Sequence, residues 1–296
     1  MVKEKKNVAL ISVFAAIFLT GSKLVIGIVT GSLGILSEAL HSGLDLVAAV
    51  ITYFSVSVSD KPADKNHHFG HGKIENFSAF LETILLLITC GWIIYEAVIR
   101  LVSGNTHIEV NVWSYVVIVG SIIIDINRSR MLSKVAKKYN SQALEADALH
   151  FSTDIWSSTV VLLGLICANF GFYYADSIAA LGVAVIVLVV SYKLGKRSLD
   201  VLLDKAPLET INKVELILGT FSEIKHFHNL KVRTAGADTF VKVVVTIDGQ
   251  ISLIQAHEIC DKLENKICSA IDRCEVFVHA EPHVISYIKT EENEIL

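Results

Sequence analysis

LGILSEALHSGLDLVAAVITYFSVSV (Leu33–Val58) is a run apolar enough to cross a bilayer, yet it carries His41 and Asp45 in its first half. A membrane-spanning helix needs about 20 mainly apolar residues. An ionisable side chain at that depth is costly and marks function more often than packing. The spacing of four places His41 and Asp45 on one helix face, about one turn apart. A second apolar run repeats the pattern: ALHFSTD (Ala148–Asp154) carries His150 and Asp154. One such pair would serve equally well as polar glue between helices. Two at matching depth, on facing helices, present two imidazoles and two carboxylates to one point. That is a tetrahedral N₂O₂ ligand set suited to Zn²⁺, with bonds of about 2.0–2.2 Å.

Outward from these runs, six segments are long and apolar enough to span: roughly 8–29, 33–58, 77–101, 111–128, 148–170 and 176–195. Of the 296 residues, 52% are apolar and 19% charged, against about 25% charged in soluble domains. The excess is confined to the first two-thirds. The sequence therefore reads as a helical membrane domain (1–206) followed by a soluble domain (207–296). The net charge of −4 suggests no nucleic-acid partner. Lysines precede the first apolar run, but its length and the spans that follow make it a membrane helix instead of a cleaved signal. Lys23 interrupts that run near one end, where its head is expected to snorkel to the interface.

Basic residues set the orientation. Lys3, Lys5 and Lys6 precede span one; Lys61, Lys65 and Lys73 follow span two. Arg128, Arg130, Lys134, Lys137 and Lys138 follow span four, and Lys193, Lys196, Arg197 and Lys205 follow span six. The opposite loops offer only Arg100. Both termini and the C-terminal domain are thus expected in the cytoplasm. No proline or glycine interrupts the chain between Gly120 and Asn140, so one long helix is expected over 111–140. Beyond Pro207 the periodicity predicts helix 208–220, strands 224–234 and 238–248, helix 252–271 and strand 275–281, an α-β-β-α-β order with helices on one face of a sheet.

Other polar groups are secondary. Glu82 and Asp125 sit in spans three and four, either lining a pathway or at a helix interface. Glu38 and Asp147 each precede a ligand histidine by three residues, with an interfacial role favoured over support of the ligands. The loop after span two reads PADKNHHFGHGK (62–73), and Asp64, His67 and His71 in it have the spacing of a surface metal site. His226, His228, His257, His279, Glu281 and His283 are scattered through the C-terminal domain; His279 and Glu281, two apart on a strand, share a face. Cys90, Cys167, Cys260, Cys268 and Cys274 form no C-x-x-C pair and read as free thiols in a reducing compartment. There is no H-E-x-x-H, P-loop, G-x-S-x-G or Gly-rich dinucleotide turn, which argues against an ATP-driven pump or a membrane protease. A metalloenzyme would also need an open coordination position, so no enzymatic activity and no cofactor are expected. The metal enters as substrate and as a structural or regulatory ligand.

Two buried aspartates repel, so without a cation at least one proton should stay on the site. Metal binding requires neutral imidazoles and ionised carboxylates and so expels protons. A site of this kind exchanges protons for metal.

GSLGILSEALHSGLD (31–45), HHFGHGKIE (67–75), SQALEADALHFSTD (141–154), SLDVLLD (198–204) and the terminal QAH and VHAEP together make the chain resemble the cation diffusion facilitator family over almost its whole length. The resemblance implies a homodimer of six-helix protomers, each with a cytoplasmic metallochaperone-like (ferredoxin-like) α+β domain, exporting divalent metal in exchange for protons. It assigns His41, Asp45, His150 and Asp154 to the transport site and Asp64, His67 and His71 to a second, interfacial metal site. It assigns Lys73 and Asp204 to a charge interlock that holds the dimer. His228, His257, His279 and Glu281 map to cytoplasmic metal sites. Val244 stands where some members have another histidine, and Glu281 where an aspartate is common, so the cytoplasmic site is expected to bind one metal, or none, in place of two. His41 replaces the aspartate of broader-specificity members, and a second imidazole favours zinc over manganese; iron, cobalt and cadmium stay open. The different class of reading is a transport-inactive membrane metal sensor or scaffold of the same fold. Chain size and the absence of a targeting sequence fit a prokaryotic inner membrane.

Overall fold

The computed structural model describes residues 2–30, 33–103, 112–169 and 175–283. Gly31 and Ser32, Asn111, Phe170 and the side chain of Glu38 lie outside the described set. Two compact units divide the chain, Met1–Leu203 and Asp204–Leu296.

The first unit is, among the described residues, a bundle of six helices: α1 (Val2–Thr30), α2 (Leu33–Ser59), α3 (Lys73–Ser103), α4 (Val112–Tyr139), α5 (Gln142–Asn169) and α6 (Ala175–Leu202). Among the described residues, Lys3–Val29, Ala39–Ser59 and Lys73–Ile99 are long and apolar enough to cross a membrane by composition. Phe14, Phe18, Ile28, Phe54, Trp92, Tyr95, Ile186 and Tyr192 point outward and are more than half exposed. Such a belt on a helix bundle is a lipid-facing surface. Inside, small residues let the helices approach closely. Ala9 and Ala16 of α1 meet Ala49 and Val56 of α2, Leu132 and Ala136 of α4, and Ala143, Ala148 and Phe151 of α5. Helices α3 and α6 pair through Ala79 and Leu194, and through Cys90, Ala184 and Val187. At Gly195 a side-chain carbon would sit 2.8 Å from the Thr83 methyl.

Helix α4 runs unbroken to Tyr139. Asn140 then adopts φ 50, the left-handed conformation that ends helices, and the Ser141 hydroxyl accepts from the Leu144 amide at 3.4 Å to start α5. This two-residue turn makes α4 and α5 antiparallel neighbours and brings Asp125 and Arg128 alongside α5.

The second unit contains α7 (Leu208–Leu218), β1 (His226–Ala235), β2 (Asp238–Asp248), α8 (Leu253–Ala270) and β3 (Cys274–His283). The sheet order is β1-β2-β3, with β1 antiparallel and β3 parallel to β2; the parallel pairing requires the α8 crossover. A Ser252–Gln255 capping box starts α8. Val214 and Leu218 of α7, Leu263 and Ile267 of α8, and Val241, Val243, Val245 and Ile247 of β2 form one core. Alternation along each strand leaves His226, His228, Val244, Thr246, His279 and Glu281 on the opposite face of the sheet.

One sequence expectation changes. Lys23 does not snorkel: it is only 6% exposed, and its Nζ donates to Ser42 Oγ at 2.8 Å. Lys5 and Arg128, counted above among the basic residues flanking the spans, are also buried. Lys5 Nζ lies 2.7 Å from Asp60 and 2.9 Å from Glu75. Arg128 stacks on the Phe151 ring at 3.5 Å. Each sequence position was compatible with solvent; only helix packing turns these cations inward.

Candidate metal centre

His41 and Asp45 on α2 and Asp154 on α5 each place a ligand atom within 4.8 Å of the others, and His150 on α5 joins them through its contacts to the two carboxylates. The His150 Nε2 lies 3.0 Å from Asp45 Oδ1 and 3.7 Å from Asp154 Oδ2. The His41 Nε2 lies 3.5 Å from Asp154 Oδ1 and 4.0 Å from Asp45 Oδ1. The nitrogens thus alternate with the carboxylates around a closed ring. A tetrahedron with bonds of about 2.0–2.1 Å has six edges of about 3.3 Å, and the four His–Asp distances bracket that value. His150 is 1% exposed and both aspartates 8%. The His150 Nδ1 and Asp154 Oδ2 are buried without hydrogen-bond partners among the described residues. A metal ion would engage the Asp154 oxygen.

Around the quartet lies a polar layer that the sequence only partly indicated. Arg128 donates to Asp125 at 3.2 Å and to Ser12 at 3.1 Å, and Ser12 donates to Asp147 at 3.2 Å. Asp147, one turn before His150, is fully buried, so it joins α1, α4 and α5 and supports the helix that carries His150 and Asp154. Glu82 is also fully buried; it accepts from Thr52 across the α2–α3 interface and from Ser78 at 3.3 Å. Asp125 and Glu82 both belong to this layer and are not among the four converging groups. The usable signal for Arg128 and Asp125 was their spacing of three on one helix, which the long-helix reading of 111–140 already contained.

In the loop between α2 and α3, Asp64 Oδ1 accepts from the amides of Asn66 and His67, each at 2.8 Å. These bonds hold the carboxyl down at about 2, with a further contribution from the His67 ring. His67 Nδ1 is 3.1 Å from Asp64, His71 Nε2 is 3.4 Å from it, and the two rings are 4.4 Å apart. All three side chains are therefore gathered by the loop itself.

The C-terminal candidates divide. His228 pairs with Val244 and Val244 with His279, so the three occupy one row across the sheet. Strand spacing of about 4.8 Å puts roughly 10 Å between the two histidines' backbones, with an apolar side chain where a third ligand would bridge them. Glu281 lies 3.7 Å from His228. His257 belongs to α8 on the other face and pairs with Asp261 at 3.7 Å; one chain does not bring it to His279. Lys73 donates to the Leu202 carbonyl at 3.2 Å, and Asp204 lies 3.6 Å from Arg233.

The chain matches the cation efflux transmembrane domain over residues 9–203 and the cation efflux protein cytoplasmic domain over residues 206–283. It is 32% identical to an uncharacterised transporter of Synechocystis sp., covering 93% of this chain and 89% of that protein. It is 28% identical to the cation-efflux pump FieF of Shewanella oneidensis, covering 92% of each. It is 29% identical to the manganese efflux system protein MneP of Bacillus subtilis, covering 94% of this chain and 96% of that one.

Proposed function

This chain belongs to the cation diffusion facilitator family of divalent metal cation efflux transporters, and we propose that it exports zinc from the cytoplasm in exchange for protons. The observation that carries this reading is the closed ring of two imidazoles and two carboxylates, with neighbouring ligand atoms 3.0–4.0 Å apart. Metal capture needs both imidazoles neutral and both carboxylates ionised, so protons and metal compete for the same atoms. When the site opens to the side of higher proton concentration, protonation displaces the metal. Four protein ligands leave no vacant position for a bound water, so the site carries an ion without performing enzymatic chemistry.

The two imidazoles favour zinc. A relative bears the name of a manganese efflux protein, but manganese prefers carboxylate, carbonyl and water oxygens, and His41 supplies a nitrogen. Residues 1–206 form the transport domain in this reading. Residues 207–296 dimerise and regulate it, with Lys73 and Asp204 as the interlock between protomers. Both termini face the cytoplasm of a prokaryotic inner membrane. His228, His257, His279 and Glu281 form the cytoplasmic metal site only if two chains share ligands, because His257 lies across the sheet from the others.

Flux into proteoliposomes tests the proposal, with zinc, iron, manganese and cadmium compared with and without an imposed pH gradient. Zinc flux driven by the gradient is expected. No flux of any metal from folded, dimeric protein would favour a sensor of the same fold. In the same assay His41→Asp should raise the ratio of manganese to zinc flux about tenfold or more, the change produced by ~1.4 kcal/mol. An unchanged metal ranking would sink the selectivity argument.

We assign the Asp64, His67 and His71 loop to a second zinc site. The Asp64 carboxyl, held down at about 2, is ionised and available to metal at every pH above that value. Asp64→Asn should weaken binding more than ~10-fold at pH 7. Calorimetry on a variant lacking the membrane quartet separates the two sites, and retention of zinc by Asp64→Asn would remove Asp64 from the ligand set.

A further inference from the structure

The five cysteines include one pair that the transport reading does not use. Cys268 stands in the last turn of α8 and is exposed; Cys274 opens β3 and is half-buried. The Cys268 thiol donates to the Cys274 carbonyl oxygen at 3.3 Å, which brings the end of α8 against the start of β3. Both are held by rigid elements. Ile267, beside Cys268, is fully buried in the core. Arg273, at φ 50, clamps the intervening turn through two bonds to Asp238, at 2.7 and 3.1 Å. Its carbonyl also accepts from the Thr239 amide at 2.9 Å. The turn between the thiols is thus tied to the β1–β2 hairpin. Cys260, earlier on α8, has no such tie to β3.

We propose that Cys268 and Cys274 form a two-thiolate site for a soft, thiophilic d¹⁰ cation, separate from the membrane quartet and from the Asp64 loop. Soft cations select sulfur ligands and accept low coordination numbers, so two thiolates with the nearby Cys274 carbonyl oxygen suffice. A cation bound there displaces the thiol protons and cancels the repulsion between the two thiolates.

The test uses the full chain in detergent, fully reduced and anaerobic, titrated with Cd²⁺. Sulfur-to-cadmium charge transfer gives an ultraviolet band that nitrogen and oxygen ligands do not, so the histidine–aspartate sites are silent. A saturable band is expected in the parent and in a variant with Cys90, Cys167 and Cys260 all changed to Ser. It should be lost in Cys268→Ser and in Cys274→Ser. In the unaltered chain, Cd²⁺ should also protect Cys268 and Cys274 together from alkylation, a readout that needs no substitution. Absence of the band from reduced parent protein, its survival in either single variant, or alkylation of both thiols at the unprotected rate would each overturn the proposal.

Discussion

Asp154→Ala should reduce metal flux more than ~100-fold while leaving a folded dimer. Loss of a group that merely supports a ligand costs 10–100-fold in affinity, about the least that loss of a ligand should cost. Asp154 contributes one oxygen 3.5 Å from the His41 nitrogen and the other 3.7 Å from the His150 nitrogen, so its removal opens the ring on both sides. It also deletes one of the two negative charges that balance a divalent ion. The fold should tolerate the change. Helix α5 is anchored by Leu144, Ala148 and Phe151, and the Arg128–Ser12–Asp147 chain that ties it to α1 and α4 does not involve Asp154. Flux in proteoliposomes and elution volume on size exclusion decide the matter together. A variant that keeps a tenth or more of parental zinc flux would exclude Asp154 as an essential ligand. A variant that aggregates would show that the aspartate also holds the bundle together, contrary to the geometry.

The ring was legible in the sequence because helical periodicity converts spacing into direction. Two residues four apart must share a face, and two such helices have one economical way to bury four polar groups. The loop cluster was legible for a similar reason: Asp64, His67 and His71 are close in sequence and gathered by one turn. Lys23 was misread, and the inward turn of Lys5 and Arg128 was not foreseen, because a basic residue near a helix end can face solvent or core, and the choice depends on partners 19 to 116 positions away. Nothing local to Lys5 indicates Glu75. In the C-terminal domain the α-β-β-α-β order followed from periodicity. The row His228–Val244–His279 needed the strand register, which single-strand patterns do not contain.

Lys5→Met should lower the melting temperature in detergent by on the order of 10 °C, whereas Lys138→Met should hardly move it. Both lysines make ion pairs at 2.7 Å that involve the N-terminal helix region or its loop neighbour, Lys5 with Asp60 and Lys138 with Glu4. Distance does not separate them; burial does. The Lys138 and Glu4 side chains are 54% and 46% exposed, so water and salt screen the pair and its loss is small. Lys5 is 1% exposed and also holds Glu75, 3% exposed, at 2.9 Å. Ser59 donates to that same Glu75 oxygen at 2.9 Å, and Ser141 to the other at 2.5 Å. One ammonium therefore joins α1, the end of α2, the start of α3 and the α4–α5 turn. Its removal withdraws the ammonium that Asp60 and Glu75 share. Breaking a buried pair from one side costs about 3–5 kcal/mol, and about 2–4 °C per kcal/mol applies to chains of comparable size. Glu75→Gln should fall between the two lysine variants, because the amide keeps an oxygen for one serine while the ammonium keeps Asp60. Equal melting temperatures for Lys5→Met and Lys138→Met would mean that water reaches Lys5 and that the four elements are held together by their apolar contacts alone.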